Sequence, residues 1–574
     1  GPSAITQIAA LELWSFWLGV EDQCGVRVEE QLEKVFPEWV ESLNIERELN
    51  ICFAASALLN QAGRYGLLNK QLLLRAVSIS EKSLGLDHPD VGASLNLLSL
   101  LYDAQGQYVK ALPLMNRALA IREKALGVDH PDVGVSLNNL AGLHQSLGDY
   151  GKALPLNERA LAILENALGR DHPDVAGSLN NLASLYHDLG EYGKALPLNE
   201  RAWAIRQKAW GKEHPIVGES LNNLALLYQD QGDYGKALPL YERALAIFKK
   251  ALGKDHPDVG ASFNNLASLY KDQGGYGKAL LLNERALTIY EKAYGKDHRD
   301  VGTCLNNLAG LYEEQGAYGK ALPLFEQALA IYEKALGKNH RYFAMSLNNL
   351  AKLYQLQGDY GKALPLFVRA QAITERSMGK NHPDFANSLH NLAGLYDAQG
   401  KYKKALPLFV QALGIREKAL GPNHLDVGTS LNDLAGLYKT TKYYSKALPL
   451  LMRAQGIAEK AMGKDHPNVG TSLNNLAGLY KAQGAYGKAL PLFKRTLAIY
   501  KKALGKNHRN VGTCLNNLAD LYKAQGVYGK ALPLFEQALA IYEKALGKDH
   551  PSVAGTLNNL AGLYKAQSEY TKAL

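Results

Sequence analysis

Twelve histidines, His88, His130, His172, His214, His256, His298, His340, His382, His424, His466, His508 and His550, stand forty-two residues apart in a chain of 574. A fixed period of that length means stacked supersecondary units, each touching only its neighbours, rather than one core around which the chain closes. A complete repeat runs from His298 to Asn339, HRDVGTCLNNLAGLYEEQGAYGKALPLFEQALAIYEKALGKN. Domain counting from length therefore fails, and most of the chain reads as a single elongated array.

Punctuation places two helices in each repeat. In the one beginning at His256, Pro257 suits a first helical turn, where its missing N–H would have no partner, and Asp258 favours the positive end of the dipole. The first helix should reach Asp272, Gln273-Gly274-Gly275 should turn, and a second helix should run from Tyr276 to Ala293, with Gly295 in a left-handed C-cap. The proline of KALPL, Pro323 for example, is tolerable only near a helix start, which holds the second helix to about Tyr318. On a helical wheel Val259, Phe263, Leu266, Ala267 and Tyr270 share a stripe that should pack, opposite Ala261, Asn264, Asn265, Ser268 and Lys271.

Those packing positions resemble the tetratricopeptide repeat: Phe263, Leu266-Ala267 and Tyr270, then Ala279, with Ala321 and Phe325 completing the pattern one repeat later. The longer second helix and the added segment LGKDHPDV, with LNNLA and KALPL, resemble the variant of kinesin light chains and many bacterial repeat proteins. The resemblance implies an all-α, right-handed superhelix of antiparallel helix pairs. It further implies that the first helices line a concave groove in which peptides of partner proteins bind. Departures are Leu97 and His390 in the asparagine columns, Asp433, and Leu281 in place of proline. Asn157, Asn199 and Asn283 replace the aromatic of the second helix, which argues against tight packing there, whereas Trp203 and Trp210 read as oversized core residues.

Residues 1–43 read as an N-terminal helical cap or the tail of an upstream domain, 44–85 as a degenerate first repeat, and 86–574 as about twelve repeats, the last incomplete. A start of Gly1-Pro2-Ser3 and a stop early in a second helix suggest a piece of a longer protein. The apolar fraction of 47% permits a continuous core, and a net charge of +9 is too diffuse to imply nucleic acid. Cys24, Cys52, Cys304 and Cys514 show neither metal-ligand nor disulfide spacing, which fits a reducing, cytoplasmic setting. No apolar run of eighteen residues or signal peptide is visible, so no membrane partner is expected.

The histidines supply one ligand per repeat, and stacked repeats offer no convergent four-ligand shell, so helix capping is the expected role and no metal or cofactor is expected. No nucleophile with a paired base and no phosphate loop stands out, and the chain reads as non-catalytic. The binding candidates lie on the face opposite the packing stripe. Asn96, Asn138, Asn180, Asn222, Asn264, Asn306, Asn348, Asn432, Asn474, Asn516 and Asn558 share one column, completed by His390. An amide offers a donor and an acceptor, so this row could hold the backbone of an extended peptide, or it could be structural. The next column, with Asn265 and Asn307, is expected to bond neighbouring backbone.

The repeats at His298 and His508 differ at six of forty-two places, among them Gly310/Asp520, Glu313/Lys523 and Glu314/Ala524 beside the same face. Along the array Asp188, Asp230, Asp272, Glu313 and Glu314 give way to Lys439, Lys481, Lys523 and Lys565. This gradient suggests a partner with an acidic segment bound toward the C-terminal half, or simply a solvated charged rim. Two functions follow: a scaffold for a peptide or partner protein, or the sensor arm of a signalling ATPase or caspase-like protease. Self-association through the unfinished last repeat is a third possibility.

Overall fold

A computed structural model of the chain describes residues 67–567 together with Cys52, Phe53 and Ser56. The cap expected at 1–43, and the degenerate repeat up to residue 66 apart from those three positions, lie outside the described residues. The described residues hold twenty-four α-helices and no strand: Leu67–Leu84, eleven pairs from Pro89–Ala104 and Tyr108–Leu126 to Arg509–Ala524 and Tyr528–Leu546, and finally Pro551–Ala566. They fall into two compact bodies that divide between Asn181 and Leu182, each built from the same helix pairs.

The helix ends follow the punctuation. Helix Pro257–Asp272 starts where His256, in an extended conformation, accepts the backbone N–H of Asp258 on Nδ1 at 3.2 Å. This supplies one of the partners that the first turn of a helix lacks. The second helix of the following repeat, Tyr318–Leu336, ends on Gly337, whose φ of 86° lets its N–H return to the Glu333 carbonyl at 3.1 Å. Pro323 is the sixth residue of that helix, within its second turn rather than its first, and the helix accepts the loss of one bond to the Gly319 carbonyl.

Packing is wider than the wheel suggests. Val259, Phe263, Leu266 and Ala267 are buried as expected, but Leu269 is fully buried while Tyr270 is only partly so. A first helix is flanked on both sides by second helices, so two stripes are covered. Leu350 and Leu353, the equivalents of Leu266 and Leu269, pack with Ala309, Ala321 and Phe325 of the preceding repeat in one cluster. Trp203 packs partly on the core, whereas Trp210 is 39% exposed and lies over the His214 ring, so it is not the core residue expected.

In the second body the path coils until it meets itself. The Nδ1 of His424 caps its own helix, leaving the proton on Nε2, which donates to the Asp188 carbonyl at 2.8 Å, 236 residues earlier. His466 repeats the contact on Asp230 at 3.1 Å, and His508 and His550 address the carbonyls of Asp272 and Glu314. The end of one first helix thus meets the start of the first helix six repeats later. The fit is close: a Cβ on Gly232 would lie 2.9 Å from the His466 ring, and one on Gly274 2.9 Å from that of His508. Leu425 and Met462 pack against the cluster of Ala183, Tyr192, Ala195 and Leu227 across the same seam.

Candidate functional site: the inner face of the first helices

First helices of successive repeats pack directly on one another, Pro215–Asp230 on Pro257–Asp272 for instance, whereas second helices chiefly meet the first helices flanking them. The first helices therefore form the inner layer. The residues of the face opposite the packing stripe lie there, close enough to the next repeat to bond it.

Much of the asparagine ladder is engaged inside the protein. Asn139 Nδ2 donates to Asn96 Oδ1 at 3.2 Å, Asn475 to Asn432 at 3.3 Å, Asn517 to Asn474 at 3.1 Å and Asn559 to Asn516 at 3.1 Å. At these four places the second column bonds the first column of the preceding repeat, side chain to side chain. Ser178 donates to Asn138 Oδ1 at 3.2 Å, and Asn264 Nδ2 points to Cys304 Sγ at 3.2 Å. Asn180 is half-buried. His390 pairs its Nε2 with Asp433 at 3.1 Å and sets its ring edge against Phe409. Three members differ: Asn222 Oδ1, Asn306 Nδ2 and Asn348 Oδ1 are buried without a hydrogen-bond partner.

The charged candidates are also largely paired. The buried Glu313 receives Lys352 at 2.7 Å, and Asp272 receives the Gln229 amide at 2.7 Å. Burial raises the Asp272 carboxyl above its usual range, and the Gln229 bond opposes the rise. Glu314 pairs with Arg509 at 2.8 Å across the seam and accepts the Tyr276 hydroxyl at 3.2 Å. Lys481 is held by Asp520. Lys439 lies over the next first helix, 3.8 Å from where a Cβ of Gly478 would stand. Burial lowers its pKa first, and the Lys481 charge lowers it further. Lys523 reaches the same place beside Gly562.

The acidic end of the gradient has a structural cause. A carboxylate at a helix C-terminus opposes the dipole, yet Asp188, Asp230, Asp272 and Glu314 are the four residues whose carbonyls receive a seam histidine. There they face the positive start of the helix six repeats on. His187 bridges two of them, with Nε2 2.5 Å from Asp230 and Nδ1 3.4 Å from Asp188. Burial opposes its proton, but the two carboxylates outweigh burial and raise its pKa to about 9. Burial pushes the Cys304 and Cys514 thiols up to about 12, which leaves them protonated and unreactive.

Polar groups line three cavities in the second body. One of about 490 Å³ lies between the first helices Pro257–Asp272, Arg299–Glu314 and Arg341–Leu356 and includes Asn264, Asn306, Gly310, Glu313 and Asn283. One of about 340 Å³ lies along the seam, at Asp230, Asp272, His466 and His508. A third, of about 180 Å³, lies beside Asn432 and Asn475. Among the described residues no group of three or more His, Cys, Asp or Glu could hold a metal ion, and no helix is long and apolar enough to cross a membrane.

Helix pairs at a fixed period, with small residues such as Ala309 and Ala321 at the helix crossings and Phe325 filling between them, define a helix-pair solenoid. The chain belongs to the tetratricopeptide repeat family: the family pattern matches ten stretches, most of them overlapping, from 70–124 through 216–292 and 342–418 to 510–574. Repeats of this family form protein-interaction scaffolds.

Among solved structures, the kinesin light chain with nearly identical TPR-like repeats from Podosopora anserina is 30% identical. It covers 36% of this chain and 97% of its own, with a TM-score of 0.31. BtubC from P. vanneervenii is 27% identical over 41% of this chain and 92% of its own, with a TM-score of 0.33. A Rap protein complexed with competence and sporulation factor is 15% identical over 72% of this chain and 99% of its own, with a TM-score of 0.43. No curated protein sequence matches the chain.

Proposed function

We propose that the protein is a non-catalytic cytoplasmic scaffold that holds an extended segment of a partner protein against the inner face of its first helices. The supporting observation is the set of buried, unpartnered amide atoms on Asn222, Asn306 and Asn348, in a column whose other members are mostly bonded internally. A buried polar atom without a partner costs about 1–3 kcal/mol, and rotation of these side chains toward a bound polar chain would recover it. Lys439 extends the reading toward the C-terminal repeats. Its charge is disfavoured by burial and by Lys481, and an acidic segment of the partner would relieve both.

Panning a random peptide library on the whole chain, followed by photo-crosslinking, tests this. A benzophenone side chain at Gly436, on the inner face with open space before it, should capture enriched peptides, and one at the exposed Val410 of a second helix should not. Capture from Val410 alone, or no enriched peptide, would defeat the reading. Lys439→Glu should weaken the acidic members of the selected set selectively.

A further inference from the structure

The cavity of about 180 Å³ beside Asn432 and Asn475 stands where other repeats keep a side chain. One position of the second helix is a buried tyrosine in four repeats: Tyr290, Tyr332, Tyr500 and Tyr542. Its ring lies on a glycine of the first helix of the same repeat. A Cβ on Gly302 would stand 3.2 Å from the Tyr332 ring, and one on Gly470 2.7 Å from that of Tyr500. Beyond the glycine the hydroxyl meets a threonine, Thr303 at 2.9 Å or Thr471 at 2.9 Å. In the repeat beginning at His424 the position is Ala458, while Gly428 and Thr429 are kept. Gly428, Thr429 and Asn468 line the cavity in the places of Gly302, Thr303 and Tyr342, which surround Tyr332. The loss is uncompensated. In the two preceding repeats Thr374 and Arg416 replace the ring, but there Ala344 and Ala386 replace the glycine as well. Above Gly428 the nearest atom to an added Cβ is Ile457 Cγ2, at 3.5 Å.

The cavity is apolar within and polar at its mouth. Gly428, Ala454, Ile457 and Ala458 are buried, whereas Thr429, Asp433, Asn468 and Thr471 are exposed. It therefore opens at the end where the internal tyrosines carry their hydroxyl, and a side chain from outside enters in the opposite sense, tip toward Ala458. We propose that this cavity takes a phenylalanine side chain of the bound partner segment, its ring on Gly428 and its backbone at the polar rim. The inference rests on the inner-face reading above and adds a specificity to it. Gly428 leaves a flat wall that suits a ring and that a branched aliphatic side chain covers poorly. A tyrosine entering from the mouth would bury its hydroxyl among Ala454, Ile457 and Ala458. Ser472, the fully buried polar side chain of the lining, is already engaged by Asn432 at 3.4 Å. A charged side chain would give up its water without gaining a partner.

The test uses the whole chain, the same peptide library and two variants. The wild type should enrich peptides with Phe fixed at one position, and replacing that residue by Ala should weaken binding about tenfold to a hundredfold, as expected for burial of one ring. Ala458→Tyr restores the ring found at Tyr500, over the same glycine and threonine, so the fold should accept it. It should still enrich peptides while losing the fixed phenylalanine. Gly428→Ala adds a methyl that meets only an ordinary contact at 3.5 Å, so it leaves the fold intact and should reduce the preference by narrowing the cavity. Toluene, the side chain of phenylalanine, should bind the wild type in ligand-detected NMR and bind Ala458→Tyr measurably less. Enriched peptides with Tyr, a charged residue or nothing fixed at that position would overturn the subsite and leave the inner-face reading standing. So would a phenylalanine preference that survives both variants, or equal toluene binding by wild type and Ala458→Tyr. No enrichment in any of the three proteins would overturn both.

Discussion

His466→Asn separates the two roles of the seam histidines. Asparagine is among the best N-cap residues, so it keeps an acceptor for the Asn468 N–H that now meets Nδ1 at 3.1 Å. It is too short to carry a donor to the Asp230 carbonyl, which now lies 3.1 Å from Nε2. A neutral bond of that kind is worth about 0.5–1.5 kcal/mol net, and loss of ring packing against Gly232 adds to it, so about 1–2 kcal/mol should disappear locally. His256→Asn is the control: it too caps through Nδ1, but its side chain is 39% exposed, and the change should stay within about 0.5 kcal/mol. Because repeat arrays need not unfold in one step, the readout is hydrogen exchange at residues 227–232, the helix end and turn that receive the bond. Exchange there should accelerate about fivefold to thirtyfold in His466→Asn and hardly in the control. Equal changes in the two variants, or acceleration confined to residues 466–472, would show that the ring is only a cap and that the seam contributes nothing.

The seam should also respond to acid. Burial lowers His466 and His508 to about 4 in the fold, against 6.5 when unfolded. Their contribution should be complete above pH 6.5 and lost as pH falls from 6.5 to 4, at most about 3 kcal/mol each, as urea melts across that range will show. His187, raised to about 9, has the opposite sign: its contribution is complete below pH 6.5 and lost between 6.5 and 9, and His187→Gln should flatten that limb. In the asparagine ladder, Asn517→Ala strips the donor from the Asn474 oxygen and should cost about 1–2 kcal/mol. Adding Asn474→Ala should cost less than the sum of the two single changes in a double-mutant cycle.

The helix ends were legible because their causes are local: His-Pro at one end, Gly in a left-handed conformation at the other. The inner core was half legible. A wheel marks one stripe, and Leu269 was missed because neighbours cover a solenoid helix from both sides. The asparagines were seen as a row, but a one-dimensional reading could not show that Asn517 reaches Asn474 of the preceding repeat rather than an outside chain. The seam left a faint trace. A cap alone would accept serine or aspartate in place of histidine, and acids at helix C-terminal ends run against the dipole. Both anomalies resolve only when residues 236 apart are brought together, which no local pattern records.

Nearly every repeat carries both halves of the seam, a histidine at its head and a glycine-flanked carbonyl at its tail, Lys442 standing in for the glycine in the repeat at His424, so the contact depends on counting six repeats and not on any particular pair. Unequal crossing-over that inserts or deletes a whole repeat would shift every downstream histidine onto a new but equivalent partner. The gene can therefore lengthen or shorten in steps of 126 base pairs without a compensating mutation. The near identity of the copies at His298 and His508 is what such recent duplication leaves behind.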